Sequence, residues 1–176
     1  PMSIHSEYIA PKGWKPKNPD EDYLITELDI ELADGVPEDK FEEVAASCAA
    51  ESSTGTWTKV DEGKHSGTKL AKKLRAVAYD LDPKTKTFKI AYKKEIFEPG
   101  NMAGIFAGIA GNIDSMKMIK AFRLLDVRFP KSLVQSFPGP QFGIDGVREF
   151  MQIERGPLLC TVPKPKIGRT AKEQAY

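Results

Sequence analysis

The sequence has few of the residues on which several common kinds of site depend. Only two cysteines occur, Cys48 and Cys160, and they stand 112 positions apart, which excludes a disulfide framework and a cysteine-rich zinc site. The two histidines, His5 and His65, lie in polar surroundings without metal-ligand spacing, so a histidine zinc site and a Ser-His-Asp triad both lack their parts. We expect both cysteines to be buried thiols in a reducing compartment, and His65 to lie in a surface loop.

An excess of charge of one sign and long apolar runs are also missing. The 26 Lys and Arg residues nearly balance the 25 Asp and Glu residues, for a formal net charge of +1, so no overall field favours a nucleic-acid partner. No apolar run reaches membrane-spanning length, and the N-terminus has no basic segment followed by an apolar one. The composition predicts a cytoplasmic globular protein that binds neither nucleic acid nor membrane, and 176 residues can bury one real core.

The first third of the chain predicts an arm, a strand and a helix. Residues 1–20 are rich in proline and have no periodicity, which indicates an extended, loosely attached arm. Residues 24–32 alternate apolar and polar side chains, which is typical of a strand with one face in water. After a turn, Pro37 suits a first helical turn, and an apolar stripe at helical spacing extends the helix to about Ala50.

The middle of the chain predicts a hairpin, a helix and a further strand. Two alternating segments, 75–81 and 88–92, are separated by turn residues. Residues 100–112 are apolar and unusually small, which predicts a helix packed tightly on the sheet, and residues 119–127 predict a strand. A short helix from Pro130 completes the order strand-helix-strand, hairpin, helix-strand, which is that of an α+β sandwich with ferredoxin-like elements.

The last segment changes character. A loop leads to a helix near 147–153 and then to an unalternating apolar strand, 158–162, of the kind buried on both faces in parallel sheets. With the helix start at Thr170, this pattern indicates the first strand-loop-helix unit of a (β/α)8 barrel. The predicted divisions are an N-terminal arm, an α+β domain, and a linker helix with the start of a barrel, covering residues 1–20, 21–138 and 139–176.

One candidate site is the loop from Glu51 to Trp57. It offers a carboxylate, four hydroxyls and several backbone N–H groups around a glycine, which together can hold a phosphate without a net basic field. A polar turn between a helix and a short strand, with Trp57 in the core, is the competing interpretation.

A second candidate site is Lys164-Pro165-Lys166. Its two lysines project to the same side of an extended chain, with Cα atoms roughly 6–7 Å apart. Their mutual repulsion favours loss of a proton, so one of them can act as a general acid or base near neutral pH. A pair of solvated loop lysines is the competing interpretation.

Nucleotide and nucleic-acid sites have weaker support. Residues 59–95 carry 11 basic and 5 acidic side chains. However, Phe88 and Tyr92 share a strand face with Ile90, which favours core packing over base stacking. Neither a Walker lysine nor a G-x-G-x-x-G pattern is present.

Several segments, taken in order, resemble the ribulose-1,5-bisphosphate carboxylase/oxygenase (RuBisCO) large chain. The most specific is Ala-Ala-Glu-Ser-Ser-Thr-Gly-Thr-Trp-Thr at residues 49–58, and Val-Pro-Lys-Pro-Lys-Ile-Gly at residues 162–168 resembles the archaeal, form III type. The other matching segments are residues 109–113, 128–130 and 139–148. The resemblance extends from about residue 20 to the end of the chain and departs from the family at Leu125, where a glutamate is usual, and at Cys160.

The resemblance implies roles for residues of the α+β domain. In the family, this domain of one large subunit closes over the barrel of a second large subunit, and the residue at Glu51 reaches into the partner's active site. Thr56 and Trp57 would bind a phosphate of ribulose 1,5-bisphosphate, and Asn112 would hydrogen-bond the substrate near the metal.

The resemblance also implies a reaction and a cofactor. Lys164 would protonate the final carbanion, with Lys166 tuning its acidity. The whole enzyme would add CO2, or O2 in the competing reaction, to the bisphosphate on Mg²⁺, and carboxylation would give two 3-phosphoglycerates. The metal ligands, including a carbamylated lysine, are expected beyond Tyr176, so this chain alone is expected to be inactive. The alternatives are a RuBisCO-like enolase or isomerase of a related sugar phosphate, and a non-catalytic ferredoxin-like binding module.

Overall fold

A computed structural model describes residues 5–56, 69–159, 170 and 172. The chain divides into two compact units, Pro1–Phe137 and Pro138–Tyr176. Some predicted features lie outside the described residues: Trp57, His65, Cys160, Lys164, Lys166 and the short strand expected after Thr58.

The described part of the first unit is built on an antiparallel sheet. Its strands are β1 (Tyr23–Leu32), β2 (Val77–Asp82), β3 (Thr87–Lys93) and β4 (Ile119–Arg128). The spatial order is β2-β3-β1-β4, so β1 pairs with both β3 and β4. These bounds confirm the predicted strands and hairpin to within a few residues, and the α+β class with them.

The core lies on one face of this sheet, as the alternation of apolar residues predicts. Along β1, Leu24, Leu28 and Ile30 are at most 3% exposed, while Glu27 and Asp29 between them are only partly buried. The residues of β3 that were predicted to share one buried face are also at most 1% exposed: Phe88, Ile90 and Tyr92. Two-residue periodicity therefore decides which face of the sheet is dry.

Three helices contribute buried side chains to the core on this face, and they are α2 (Phe41–Glu51), α4 (Met102–Ala110) and α5 (Lys131–Val134). The other described helices are α1 (Pro19–Asp22) and α3 (Lys69–Leu74) in this unit and α6 (Gly143–Met151) in the second unit. Helix α2 ends one residue beyond the predicted Ala50 and buries the predicted stripe. Its first residue, Phe41, meets Phe88 of β3 edge to face, with ring centroids 5.9 Å apart.

Helix α4 lies within the segment predicted to be helical. Within it, Ile105 and Ile109 are the buried residues, whereas Met102 and Phe106 are 39% and 44% exposed. At Gly108 the absence of a side chain allows the helix to lie close to Phe97, because an added Cβ would be 3.2 Å from the Phe97 ring. The predicted helix is thus confirmed, and it reaches the core through its two isoleucines, while most of its small residues are exposed.

The N-terminal arm is anchored, and the expectation of loose attachment is wrong. Tyr8 is 7% exposed, Ile9 forms a parallel bridge with Ala78 of β2, and the ring of Trp14 lies 5.3 Å from that of Tyr79. The arm has no periodicity because its large apolar side chains are buried at separate places on the unit rather than along one face.

Two polar groups that the sequence analysis considered are buried. Cys48 is a free thiol with no exposed surface, as predicted, and burial raises its pKa. His5 is only 6% exposed and meets the ring of Tyr8 edge to face, with ring centroids 6.2 Å apart.

The second unit contains α6, which starts four residues before the predicted segment at 147. The rings of Phe142 and Phe150 stack at 6.5 Å within this unit. Leu158 and Leu159 are 38% and 97% exposed and are not in a strand, so the predicted apolar strand does not start there, and its remaining residues lie outside the described range. No helix among the described residues is long and apolar enough to cross a membrane.

The position of the core can be tested with two leucines of the same sheet. Leu28 has no exposed surface, whereas Leu125 on β4 is 50% exposed. We expect Leu28→Ala to lower the free energy of unfolding by about 2–5 kcal/mol through lost burial and a cavity, and Leu125→Ala to change it by less than about 0.5 kcal/mol. Urea unfolding followed by circular dichroism measures both, and equal losses would contradict this core.

Candidate functional site

The candidate phosphate loop begins where helix α2 ends. The N–H of Ser52 donates to the carbonyl of Cys48 at 3.0 Å, and the N–H of Gly55 donates to the carbonyl of Ala50 at 3.0 Å. These bonds satisfy carbonyls that a helix end would otherwise leave without partners. The chain therefore turns tightly after Glu51, and the loop residues stay close to the last turn of α2.

Two of the loop hydroxyls hydrogen-bond to carbonyl groups in the last turn of α2. The Oγ of Ser52 donates to the Cys48 carbonyl at 2.6 Å, and the Oγ of Ser53 donates to the Ala49 carbonyl at 2.6 Å. The Ser53 Oγ also accepts the backbone N–H of Ala76 at 3.2 Å. The expectation that the loop hydroxyls donate to a ligand is thus wrong for these two serines, since both donate their protons to backbone carbonyls.

The structure brings two predicted site residues together in this loop. The hydroxyl of Thr56 donates to Oε2 of Glu51 at 2.8 Å, and both side chains are partly buried. A threonine hydroxyl has only one proton to donate. An anion that takes a hydrogen bond from Thr56 must therefore displace Glu51 as acceptor.

A buried tyrosine holds the helix end against the sheet. The Oη of Tyr92, in β3, lies 2.9 Å from the Oγ of Ser52, and the tyrosine has no exposed surface. Burial raises the pKa of the Tyr92 phenol, and hydrogen bonding to Ser52 opposes part of that shift. Alternation along β3 predicts that Tyr92 is buried but contains no signal for the partner of its hydroxyl, so sequence reasoning missed this contact.

Asn112 lies on another element of the same unit. It follows the end of α4, its side chain is exposed, and its carbonyl accepts the hydroxyl of Ser115 at 2.9 Å. The adjacent Ile113 has no exposed surface and anchors this turn in the core. The position of Asn112 is therefore set by burial of its neighbour.

The described residues do not fit a magnesium site. Among them, no group of three or more His, Cys, Asp or Glu side chains could hold a metal ion. Mg²⁺ is bound through one or two carboxylates together with water and phosphate oxygens. The part of the chain that the structure describes therefore shows no clustered ligand set for it.

The open face of the sheet carries charges of both signs. Lys89 lies opposite Glu27 in the β1–β3 register and pairs with Asp80 at 2.7 Å, and Arg123 pairs with Asp29 of β1 at 2.7 Å. Such cross-strand pairs neutralise the basic residues. On the same face, Tyr79 and Ala91 are buried and pack with Trp14, so part of the face is covered.

A family model agrees with the site loop and the fold. The model described as "Ribulose bisphosphate carboxylase large chain, N-terminal domain" matches residues 14–133. This range includes Glu51, Thr56, Trp57 and Asn112.

Archaeal proteins are similar to this chain along most of its length. The chain is 38% identical over 172 residues to ribulose bisphosphate carboxylase of Methanosarcina acetivorans, which covers 98% of the chain and 38% of that relative. It is 44% identical over 144 residues to the Methanocaldococcus jannaschii protein of the same name, which covers 78% of the chain and 33% of the relative. The chain thus spans well under half the length of these relatives.

Solved structures with the same fold are also archaeal. Octameric Rubisco from Pyrococcus horikoshii, in complex with sulfate ion, superposes with a TM-score of 0.76 at 36% identity, covering 97% of this chain and 38% of that one. Dimeric Rubisco from Hyperthermus butylicus superposes with a TM-score of 0.77 at 38% identity and the same coverage.

The buried Tyr92 contact can be tested by replacing the phenol with a phenyl ring. We expect Tyr92→Phe to lower the free energy of unfolding at neutral pH by about 1 kcal/mol, because Ser52 loses a buried partner. Because the phenol pKa is raised in the native state, the wild type loses stability as the pH rises above about 10, where tyrosine ionises in the unfolded chain. The Tyr92→Phe variant should lose less stability in this pH range. Urea unfolding as a function of pH measures both effects, and identical slopes would contradict the raised pKa.

Proposed function

The chain belongs to the RuBisCO large-chain family, in which it carries the N-terminal domain, and on this premise we propose that it forms part of a ribulose-bisphosphate carboxylase. The proposed reaction is the addition of CO2, in competition with O2, to ribulose 1,5-bisphosphate, and carboxylation yields two 3-phosphoglycerates. The observation that carries the proposal is the loop at the end of α2, where Thr56 and Glu51 are hydrogen-bonded beside the Gly55 turn.

The proposed role of this loop is to exchange one hydrogen bond for another. When the bisphosphate binds, the hydroxyl of Thr56 leaves Glu51 and donates to a phosphate oxygen, with Trp57 as the neighbouring contact. The same step removes one hydrogen bond from the Glu51 carboxylate, which is proposed to act in the active site of a second large subunit. A phosphate and a carboxylate that compete for one proton also repel each other by charge.

The remaining roles follow the family resemblance. Asn112 hydrogen-bonds the substrate, and its exposed position after α4 leaves its amide accessible. Lys164 returns a proton to the carbanion, and Lys166 favours loss of that proton by charge repulsion.

The proposal also covers the rest of the protein. The β-α-β-β-α-β order is that of a ferredoxin-like sandwich, and we propose that residues 139–176 form a linker helix and the first unit of a (β/α)8 barrel. The partner is a second large subunit, in keeping with the octameric and dimeric forms of the relatives. The proposed cofactor is Mg²⁺, which would supply Lewis-acid chemistry when bound. Because the described residues offer no ligand set, its ligands are proposed to lie beyond Tyr176.

A polypeptide of residues 1–176 should have no carboxylase activity by itself. These residues include only the first proposed unit of the barrel, and those that the structure describes offer no cluster of metal ligands. Incubation of the purified chain with ribulose 1,5-bisphosphate, Mg²⁺ and labelled bicarbonate should fix no label above background. Measurable fixation would contradict the proposal that catalysis needs metal ligands outside residues 1–176.

A hybrid enzyme tests the proposed role of the loop. Replacing the corresponding N-terminal segment of the Pyrococcus horikoshii relative with this chain should give an active carboxylase. In that hybrid, Thr56→Val should lower kcat/KM about 10- to 100-fold, the loss expected for one hydrogen bond to a charged phosphate. Thr85→Val, in the exposed hairpin turn, is the matched control and should leave kcat/KM within about twofold. Equal effects of the two valine variants would refute the phosphate role of Thr56.

A further inference from the structure

The N-terminal arm touches the candidate phosphate loop through one side chain. The Oη of Tyr8 lies 3.4 Å from Oγ1 of Thr54, two residues before Thr56. Tyr8 is 7% exposed, so its hydroxyl points into the unit rather than into solvent. A residue far from the loop in sequence thus forms one wall of it.

Gly55 shows how closely this wall approaches. A Cβ added to Gly55 would lie 2.5 Å from Oη and 2.8 Å from Cζ of Tyr8, closer than side chains tolerate. The φ of Gly55 is not in the left-handed region, so the backbone conformation does not require glycine here. Glycine is needed here because the ring of Tyr8 occupies the space that a side chain would take, so the loop and the arm have complementary shapes.

The ring of Tyr8 is itself held in place. The guanidinium of Arg75 lies over it, 5.0 Å from the centroid, and pairs with Glu7 at 2.8 Å. Two residues after Tyr8, the backbone N–H of Ala10 donates to the carbonyl of Ala78 in β2 at 2.9 Å. The arm is therefore fixed to the sheet directly after Tyr8, and the ring cannot withdraw without breaking these contacts.

We propose that Tyr8 is a positioning residue for the loop that carries Glu51 and Thr56. Its ring and hydroxyl restrict Thr54 and Gly55, and this restriction keeps the Thr56 hydroxyl in register with the Glu51 carboxylate. The functional value of this restriction rests on the proposed function, whereas the coupling between arm and loop rests on geometry alone.

Amide hydrogen exchange of the full chain tests the coupling. The reporter is the Gly55 amide, which donates to the Ala50 carbonyl, and the internal reference is the set of β3 amides. We expect Tyr8→Phe, which keeps the ring, to speed Gly55 exchange about two- to fivefold. Tyr8→Leu, which removes the ring, should speed it about tenfold or more. Exchange in β3 should stay unchanged in Tyr8→Phe, which separates a local effect from general destabilisation.

The control is Tyr79→Phe, because Tyr79 is equally buried at 7% but packs on the Trp14 side of the sheet. It should leave Gly55 exchange unchanged. Gly55→Ala supplies a second, independent measurement. It should speed loop exchange strongly in the wild-type background and much less in the Tyr8→Leu background, because the clash needs both partners. Additive effects of Gly55→Ala and Tyr8→Leu, or unchanged Gly55 exchange in Tyr8→Leu, would overturn the proposal.

A titration with ribulose 1,5-bisphosphate separates this inference from the proposed function. Shifts of the Thr56 amide resonance report binding to the loop. We expect Tyr8→Phe to raise the Kd about two- to fivefold, with Tyr79→Phe at the wild-type value. Wild-type binding with an unchanged Kd in both Tyr8 variants would overturn the positioning role. Absence of wild-type binding, together with faster Gly55 exchange in the Tyr8 variants, would count against the proposed function and leave the arm–loop coupling supported.

Discussion

The hydrogen bond between the hydroxyls of Tyr92 and Ser52 is the contact on which the candidate site depends. Both groups are buried, so each needs a partner, and an unsatisfied hydroxyl there would cost more than the bond contributes when it is made. This requirement fixes the end of α2 relative to the central sheet. Glu51 and the loop after it then start from a defined point, and their side chains need few further constraints.

Three hydroxyls of the loop donate their protons within the chain. Ser52 and Ser53 donate to helix carbonyls, and Thr56 donates to Glu51. An incoming anion must therefore compete with a carboxylate for one proton. Such a competition links substrate binding to movement of Glu51, which suits a residue whose proposed site of action is on another subunit.

The sequence predicted the regular elements well and the arm poorly. Two-residue alternation and helical stripes are repeated signals, and burial of one face explains them, so β1, the hairpin and α2 follow from the pattern. The arm has single anchors, Tyr8 and Trp14, whose burial depends on surfaces made by distant strands. No local pattern can indicate such a surface. The small residues of α4 suggested close packing that most of them do not make, because small side chains permit a close neighbour without requiring one.

The sequence by itself determined the α+β class, the dry face of the sheet and the chemical content of the loop, because these depend on residue type and periodicity along a short segment. Its motif was also specific enough to indicate the family. Only the tertiary structure decided which hydroxyls of the loop remain for a ligand, that Thr56 is hydrogen-bonded to Glu51, and that Tyr8 is the reason for Gly55. Those facts depend on distances between atoms separated by 4 to 47 positions in the chain, and folding sets such distances through packing of the whole core.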